Sequence, residues 1–458
     1  MTPATMADPA ARLADHALSV EWAALPPSAQ AAARAFLFDS LAVGVAGYSA
    51  IYAEEIRKAA QIWTGGAAGE GMVLGAPDLR LPAPYAAYVN AYQIHSQEYD
   101  CVHEPAVAHP MATVCAALLA EAGRAPASGA DFLAAVIAGI DVVATLGVAV
   151  KGPLKFFRPA TAGIFGCVAA LSRLRRVEPE VAYRAFGHAL ALASGTMQSH
   201  IEGKPTLALQ VAGAARSAVE AFDLACAGVP SPAGAIGGPF GYMALFENDP
   251  VLEPELDKLG KVWRVEEVSW KPFPTGRAAQ GAIVALKTLM AGHGVTADNL
   301  EALEYHAPPL IHRLVGRRPQ ADMTVAYARL CFAWLGAVVL TEGDVGLDAF
   351  TPARLGDPVL TAIAEKITVV ADDNPDLAAF VPAFAHVRLV DGRSFRVDVA
   401  RQLGAPEWPL TLEQQLEKAG KCFAFGGLDA ALVPQLHALV GRLDAAGDVI
   451  ATLSEVLD

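Results

Sequence analysis

The densest group of ionisable side chains in this sequence is His95-Ser-Gln-Glu98-Tyr99-Asp100-Cys-Val-His103-Glu104-Pro-Ala-Val-Ala-His109-Pro110. Three histidines and three carboxylates fall within one connecting segment, between flanks that are apolar and helix-like. Imidazole changes charge near neutral pH, and neighbouring carboxylates shift that titration by direct charge interaction. The segment therefore suits proton transfer. A solvated loop, or histidines that only end helices, is the plain structural alternative. Metal binding is a third option, but H-E-x-x-H spacing is absent and no metal is expected.

The flanking elements must hold this segment in place. Apolar spacing predicts helices over 28–47, 86–95, 110–122, 131–150, 162–174, 178–194 and 207–227. Ser28 and Ser128 stand as caps, the latter with Asp131 as a capping box. Almost no period-2 alternation occurs before about residue 246, so this region reads as all-α. The pattern then changes. Short strands are predicted at 265–270 and 300–305, and a hairpin at 386–390 and 394–399 around Asp391-Gly392, which suits a type I′ turn. Helices at 276–290 and 324–340 alternate with them, and the tail from 411 is helical again. The expected architecture is mostly α. A large all-α helical domain is formed by 1–264 and 403–458, and a smaller α+β lid domain by 265–402.

The chain has 458 residues, of which 54% are hydrophobic and 18% charged. That length exceeds one ordinary core and agrees with two units. Alanine supplies much of the apolar content and lets helices approach closely. The net charge of −14 and the lack of a basic run exclude nucleic acid as an expected partner. An acidic protein that binds an acidic ligand must gather a few cations in one pocket, so isolated lysines and arginines matter. Six cysteines are scattered without CxxC or Cys/His metal spacing, as free thiols of a reducing compartment would be. The N-terminus lacks an apolar stretch of signal-peptide type. The most hydrophobic window, 132–150, holds Asp141, which would cost ~2.5–3.5 kcal/mol in a bilayer. A cytoplasmic protein with no membrane partner is expected.

His95-Ser-x-Glu98-Tyr-Asp100, followed by Pro105-Ala and His109-Pro110, resembles the H-S-x-D-F-D-D … H-P-x stretch of the MmgE/PrpD family. Further matches follow in order. They are Phe38-Asp39-Ser-Leu-Ala-Val-Gly-Val-Ala-Gly47, Thr161-Ala-Gly-Ile-Phe-Gly166, Lys271-Pro-Phe-Pro274 against the family's K-P-Y-P, and Gly343-Asp-Val-Gly-Leu-Asp-Ala-Phe350. The family includes 2-methylcitrate dehydratase, cis-aconitate decarboxylase and iminodisuccinate epimerase. The resemblance implies an enzyme that forms a homodimer, uses no organic cofactor and acts on small di- or tricarboxylates.

It also implies site residues. His109, Asp100, Glu98, Lys271 and Lys204 are the catalytic candidates. His103, Arg158, His95, Gln280 and Trp334 are the substrate-binding ones. Glu98 stands where the family usually has Asp. Three histidines of the family are replaced, by Arg158, by Gln210 and by Gly276 or Gln280, and an expected tyrosine by Trp334. Arg158 would add a bidentate carboxylate clamp. The leading expectation is a lyase of 2-methylcitrate dehydratase type, which abstracts a proton next to a carboxylate. The runner-up is an epimerase of an aminopolycarboxylate such as iminodisuccinate. A carboxylate-binding protein without activity is the third.

Overall fold

The structure is a computed structural model and describes residues 8–150 and 152–458. Proline and short polar side chains set where its helices begin. Pro27, Pro110 and Pro179 each occupy the first turn, where the missing N–H costs nothing. Ser128 accepts from the Asp131 N–H and starts helix Gly129–Val148. Thr411 and Gln414 form a reciprocal capping box at helix Leu412–Gly426. Ser28 lies inside helix Pro27–Gly47 and does not cap it.

Helices Pro27–Gly47, Ala83–His95, Pro110–Arg124, Gly129–Val148, Gly163–Arg175 and Thr206–Cys226 share one hydrophobic cluster built largely from alanine, valine and leucine. Small residues permit the closest crossings. A Cβ on Gly166 would lie 2.7 Å from the Gly139 carbonyl oxygen, and one on Gly139 would lie 3.0 Å from that of Gly166. Helix Leu412–Gly426 packs back on helix Pro27–Gly47. Among the described residues, Gly129–Val148 is the one helix long and apolar enough to cross a membrane. It runs through this bundle instead, and its Asp141 is buried, accepting from the Arg264 N–H and facing His16 Nε2 at 2.9 Å.

A second hydrophobic cluster surrounds a four-stranded sheet. Its order is Ile367–Ala371, Leu300–Ala307, Ala383–Leu389, Ser394–Val399, and only the first pair is parallel. Helix Arg277–His293 lies against the sheet, and helix Phe332–Glu342 packs on that helix. The strand Ile367–Ala371 has no alternating pattern and was not expected. The Asp391-Gly392 hairpin forms, but not through a type I′ turn. Asp391 keeps a negative φ while Gly392 has φ 86°, which gives a type I turn closed by a left-handed glycine. The segment 265–270 is not a strand of this sheet. Val265 and Val268 are both buried at a spacing of three, and Arg264–Glu267 forms a 3₁₀ turn. The remaining Val268–Ser269 pairs with Val102–His103, so the polar segment is tied by a ladder to the chain just before Lys271. The helix expected at 324–340 is broken into Val325–Ala328 and Phe332–Glu342, with Arg329 at the break. Helices Pro9–Ser19 and Ala53–Trp63 were also not anticipated.

Gly166→Ala tests the close crossing. The methyl group would push against a helix backbone that cannot rotate away. A loss of about 1–3 kcal/mol is expected, seen as a lower urea midpoint at unchanged slope. An unchanged midpoint would show that the bundle has slack there.

Candidate active site

The helix Ala83–His95 ends at the polar segment, and helix Pro110–Arg124 begins just after it. The chain between them turns back, so His95, Asp100 and His109 meet. The buried Asp100 Oδ2 lies 3.0 Å from His95 Nδ1 and 3.0 Å from His109 Nδ1. An ionised carboxylate only accepts, so both imidazoles donate their Nδ1–H to it. The two rings meet edge to face, 4.8 Å between centroids. Lys271, fully buried, places Nζ 2.8 Å from Glu98 Oε2 and 3.8 Å from Asp100 Oδ1. Five of the predicted residues therefore form one charged cluster: His95, Glu98, Asp100, His109 and Lys271.

This cluster separates the two histidines electrically. Burial lowers the pKa of His95, but the charge and hydrogen bond of Asp100 and the charge of Glu98 outweigh it, and the net shift is upward. Burial also lowers His109. There Lys271 and His95 reinforce burial against Asp100, and the net shift is downward. Burial would raise both carboxylates. Lys271, His95 and His109 reverse this for Glu98, which falls to about 2. His109, His95 and Lys271 hold Asp100 well below its usual range. His95 thus favours the imidazolium form more than a free histidine does. His109 is neutral at neutral pH, with its proton on Nδ1 and a lone pair on Nε2. That Nε2 makes no hydrogen bond among the described residues, and His109 lines a partly open cavity of about 70 Å³. One water needs roughly 10–15 Å³, so the cavity suits a small molecule. His95 Nε2 is buried without a partner, 4.0 Å from Glu98 Oε1.

The segment is held from behind. Lys418 of helix Leu412–Gly426 puts Nζ 2.6 Å from Asp39 Oδ1 and donates to the Tyr99 carbonyl at 2.8 Å. Its ammonium also lies over the rings of Tyr99 and Trp270. Tyr99 sits between Glu98 and Asp100, and Trp270 precedes Lys271, so one cation steadies both strips of chain. Arg329 donates to the carbonyls of Gln97 and Pro274 and so clamps the same two strips from the other side. Glu98 has φ 50° and Val107 φ 48°, left-handed conformations that cost non-glycine residues energy. Both residues line the cavity.

Other expected residues fall differently. Lys204 is exposed and lies beside a smaller cavity of about 30 Å³, which shares His95, Glu98 and Leu207 with the first and also meets Arg329. Arg158 reaches the main cavity, but its guanidinium already forms a bidentate pair with Glu247, at 2.8 and 2.9 Å, and donates to the Ala106 carbonyl. It is not a free clamp for a ligand. His103 has both ring nitrogens engaged, with the Ala106 N–H and with Glu267, and does not line the cavity. Gln280 braces the turn after Lys271, bonding Phe273 and Thr275. Trp334 is buried in the second hydrophobic cluster, against Phe350. None of the last three faces the cavity.

His200, Arg277 and Arg329 carried no motif signal and were not anticipated. His200 lines the cavity and is kept neutral, its pKa brought to about 4 by burial and by Arg317. Arg277 also lines it and is paired with Glu104.

His95, Asp100 and His109 place potential metal-ligand atoms within 4.8 Å of one another. A divalent ion there would displace the two shared protons and face the Lys271 ammonium next to Asp100. That charge balance favours a proton site.

Comparison with known proteins identifies the family. The MmgE/PrpD N-terminal domain profile matches residues 11–255, and the MmgE/PrpD C-terminal domain profile matches 273–430. The chain is similar to cis-aconitate decarboxylase of Mus musculus, 26% identical over 78% of this chain and 75% of that protein. It is equally similar to cis-aconitate decarboxylase of Homo sapiens, 26% identical over 89% of this chain and 84% of that one. A cis-aconitate decarboxylase-like protein of Aspergillus oryzae, oryM, is 26% identical over 94% of this chain and 93% of its own length.

Lys271→Met would leave two buried carboxylates without their cation. A loss of about 3–5 kcal/mol at neutral pH is expected, measured by urea unfolding. Glu98 has a depressed folded pKa. Its contribution is therefore complete above its unfolded value, roughly pH 4–5, and is lost as pH falls toward 2. The difference between wild type and variant should narrow over that window. A difference that stays constant down to pH 3 would show that Lys271 acts through packing alone.

Proposed function

The chain belongs to the MmgE/PrpD family, and from that premise we propose that it is a cofactor-independent lyase acting on a small polycarboxylate, with His109 as the proton carrier. One observation carries the reading. His109 is oriented by Asp100, favours the neutral form, lines the cavity and has no hydrogen-bond partner for Nε2 among the described residues. Such a group removes a proton from carbon next to a carboxylate. The negative charge that develops faces a site where cations gather. Lys271 and His95 stand beside Glu98 and Asp100, Arg329 is close enough to Glu98 to feel its charge, and Lys204 lies beside the adjoining cavity.

On a hydroxy acid the step is an elimination. The C–H bond breaks toward His109 Nε2, the electron pair forms a C=C bond, and the C–O bond breaks. His109 then returns its proton to the departing hydroxyl, which leaves as water. One carrier suffices if proton and hydroxyl lie on the same face. Epimerisation needs a second proton carrier on the opposite face. His200 also lines the cavity, but with a pKa of about 4 it is a neutral imidazole at neutral pH and so a poor proton donor. The names of the relatives favour a second reading, decarboxylation. In it the same His109, in protonated form, delivers a proton to the carbon that loses carbon dioxide.

The domain division belongs to this reading. Residues 1–264 with 403–458 form the helical unit and 265–402 the lid. The two separate hydrophobic clusters and the return of helix Leu412–Gly426 onto helix Pro27–Gly47 support it. The cavity is lined from both sides, by His109 and His200 on one and by Arg277 and Leu314 on the other.

A panel of di- and tricarboxylates followed by NMR in deuterated water tests the proposal. Loss of water or carbon dioxide from a member, abolished by His109→Ala, is expected. Proton exchange without either loss would make the enzyme an epimerase, and turnover unaffected by His109→Ala would remove the mechanism. The pH profile separates the two lyase readings. His109 titrates below 6.5, so with His109 as base kcat/KM rises with pH through an acidic midpoint and is level at neutrality. With His109 as acid it falls through that midpoint.

A further inference from the structure

The main cavity carries little charge that a ligand could use. Of the twenty residues that line it, six are ionisable: His95, Glu98, His109, Arg158, His200 and Arg277. Three of these form the proton site, where the rings of His95 and His109 lie 4.8 Å apart and Glu98 stands beside His95. The other three present no free charge. Arg158 is paired with Glu247, and Arg277 is paired with Glu104 and donates to the carbonyls of Trp270 and Leu403. Burial and Arg317 keep His200 neutral. Apart from Gly276, the rest of the wall is apolar. A carboxylate placed against those side chains would lose its hydration and gain no partner.

Part of this apolar wall is fixed in place. Gly276, Val315 and Leu330 come from three stretches of chain and meet at the cavity. A Cβ on Gly276 would fall 2.6 Å from Leu330 Cδ2 and 3.5 Å from Val315 Cγ1. The Leu330 methyl thus occupies space that a side chain at 276 would need, and glycine leaves it free. The backbone here is pinned. The Gly276 N–H donates to the Arg329 carbonyl at 3.0 Å, and the Arg329 guanidinium donates to the carbonyls of Gln97 and Pro274. Leu330 is therefore held in a set position relative to the strip that carries Glu98 and Asp100. Phe157 and Met197 line the same cavity, and the Phe157 ring lies 6.0 Å from that of His95. The apolar wall therefore begins beside the proton site.

We propose that this wall receives an alkyl substituent of the substrate, longer than methyl, and that Leu330 sets which substituents are accepted. The identity of the reacting end rests on the lyase reading: it lies at His109, and the alkyl chain extends along Phe157, Leu330 and Val315. Each methylene buried there is worth about threefold to fourfold in affinity. The natural substrate is then an alkyl-substituted polycarboxylate rather than a compact and wholly polar one. Leu330 acts on specificity, and His109 on the chemistry.

Calorimetric binding of succinate and of its methyl, propyl and butyl derivatives, each substituted on the carbon next to a carboxylate, tests the wall without any turnover. Wild type should bind the propyl acid about tenfold more tightly than the methyl acid. Leu330→Asn, similar in shape but polar, should cut that ratio to about threefold or less, with thermal unfolding confirming that the variant folds. Met197→Gln places a polar group at a second point of the wall and should lower the same ratio, so the test stands even if Leu330→Asn does not fold. Among acids that are turned over, kcat/KM should follow the same order of chain length. Equal or weaker binding of the propyl acid by wild type, or a ratio that neither variant changes, would overturn the proposal. If no acid is turned over but the ratio is present and falls in Leu330→Asn, the lyase reading fails and the subsite stands. If unsubstituted acids are turned over and the propyl group weakens binding, the subsite fails and the lyase reading stands.

Discussion

A buried carboxylate shared by two imidazoles is the interaction on which this molecule's chemistry depends. Asp100 has no solvent to stabilise its charge, and it gains two N–H donors and a nearby ammonium instead. Desolvation alone would keep it protonated. With its partners it stays ionised and fixes the tautomers of both rings. The same charge acts unequally on them. His95 is buried with Glu98 beside it, and its proton is held more tightly than on a free imidazole. His109 lines the cavity, and burial with the charges of Lys271 and His95 lowers its affinity for a second proton. One anion therefore biases one ring toward the cation and the other toward an available base.

Such a cluster works only if its members cannot drift. Its two histidines sit at the end of one helix and the start of the next, where backbone direction is set by neighbouring turns. Lysine 271 comes from a distant part of the chain, brought close by the ladder between Val102–His103 and Val268–Ser269. Lys418 and Arg329 clamp the same strips from two sides. Beneath lies a bundle packed through glycine and alanine, in which helices meet at backbone distance. Its stiffness is what allows Glu98 and Val107 to remain in left-handed conformations at the cavity wall.

Much of this was legible in the sequence, and the remainder has physical reasons. His95, Glu98, Asp100 and His109 could be found because they crowd one short segment between apolar helices, where local density is the signal. Lys271 needed the motif around it. Arg158 was read as a free clamp because its partner, Glu247, lies 89 residues away and has no pattern that announces it. Gln280 and Trp334 were placed by alignment to residues of other chemistry. In the fold, one braces a turn and the other fills a core. His200, Arg329 and Lys418 have unremarkable neighbours in sequence, and only the tertiary contacts of their helices give them meaning. Strand Ile367–Ala371 was missed for a related reason. It is an edge strand with both faces partly covered, so it does not alternate.

The division of protonation between His95 and His109 is the central claim, and nitrogen-15 NMR of the histidine-labelled protein at neutral pH tests it most directly. The ring nitrogens of His95 should both carry protons. Those of His109 should show a proton on Nδ1 and an unprotonated Nε2, and Asp100→Asn should abolish the difference between the rings. Two rings in the same state, or a His109 with its proton on Nε2, would contradict the account.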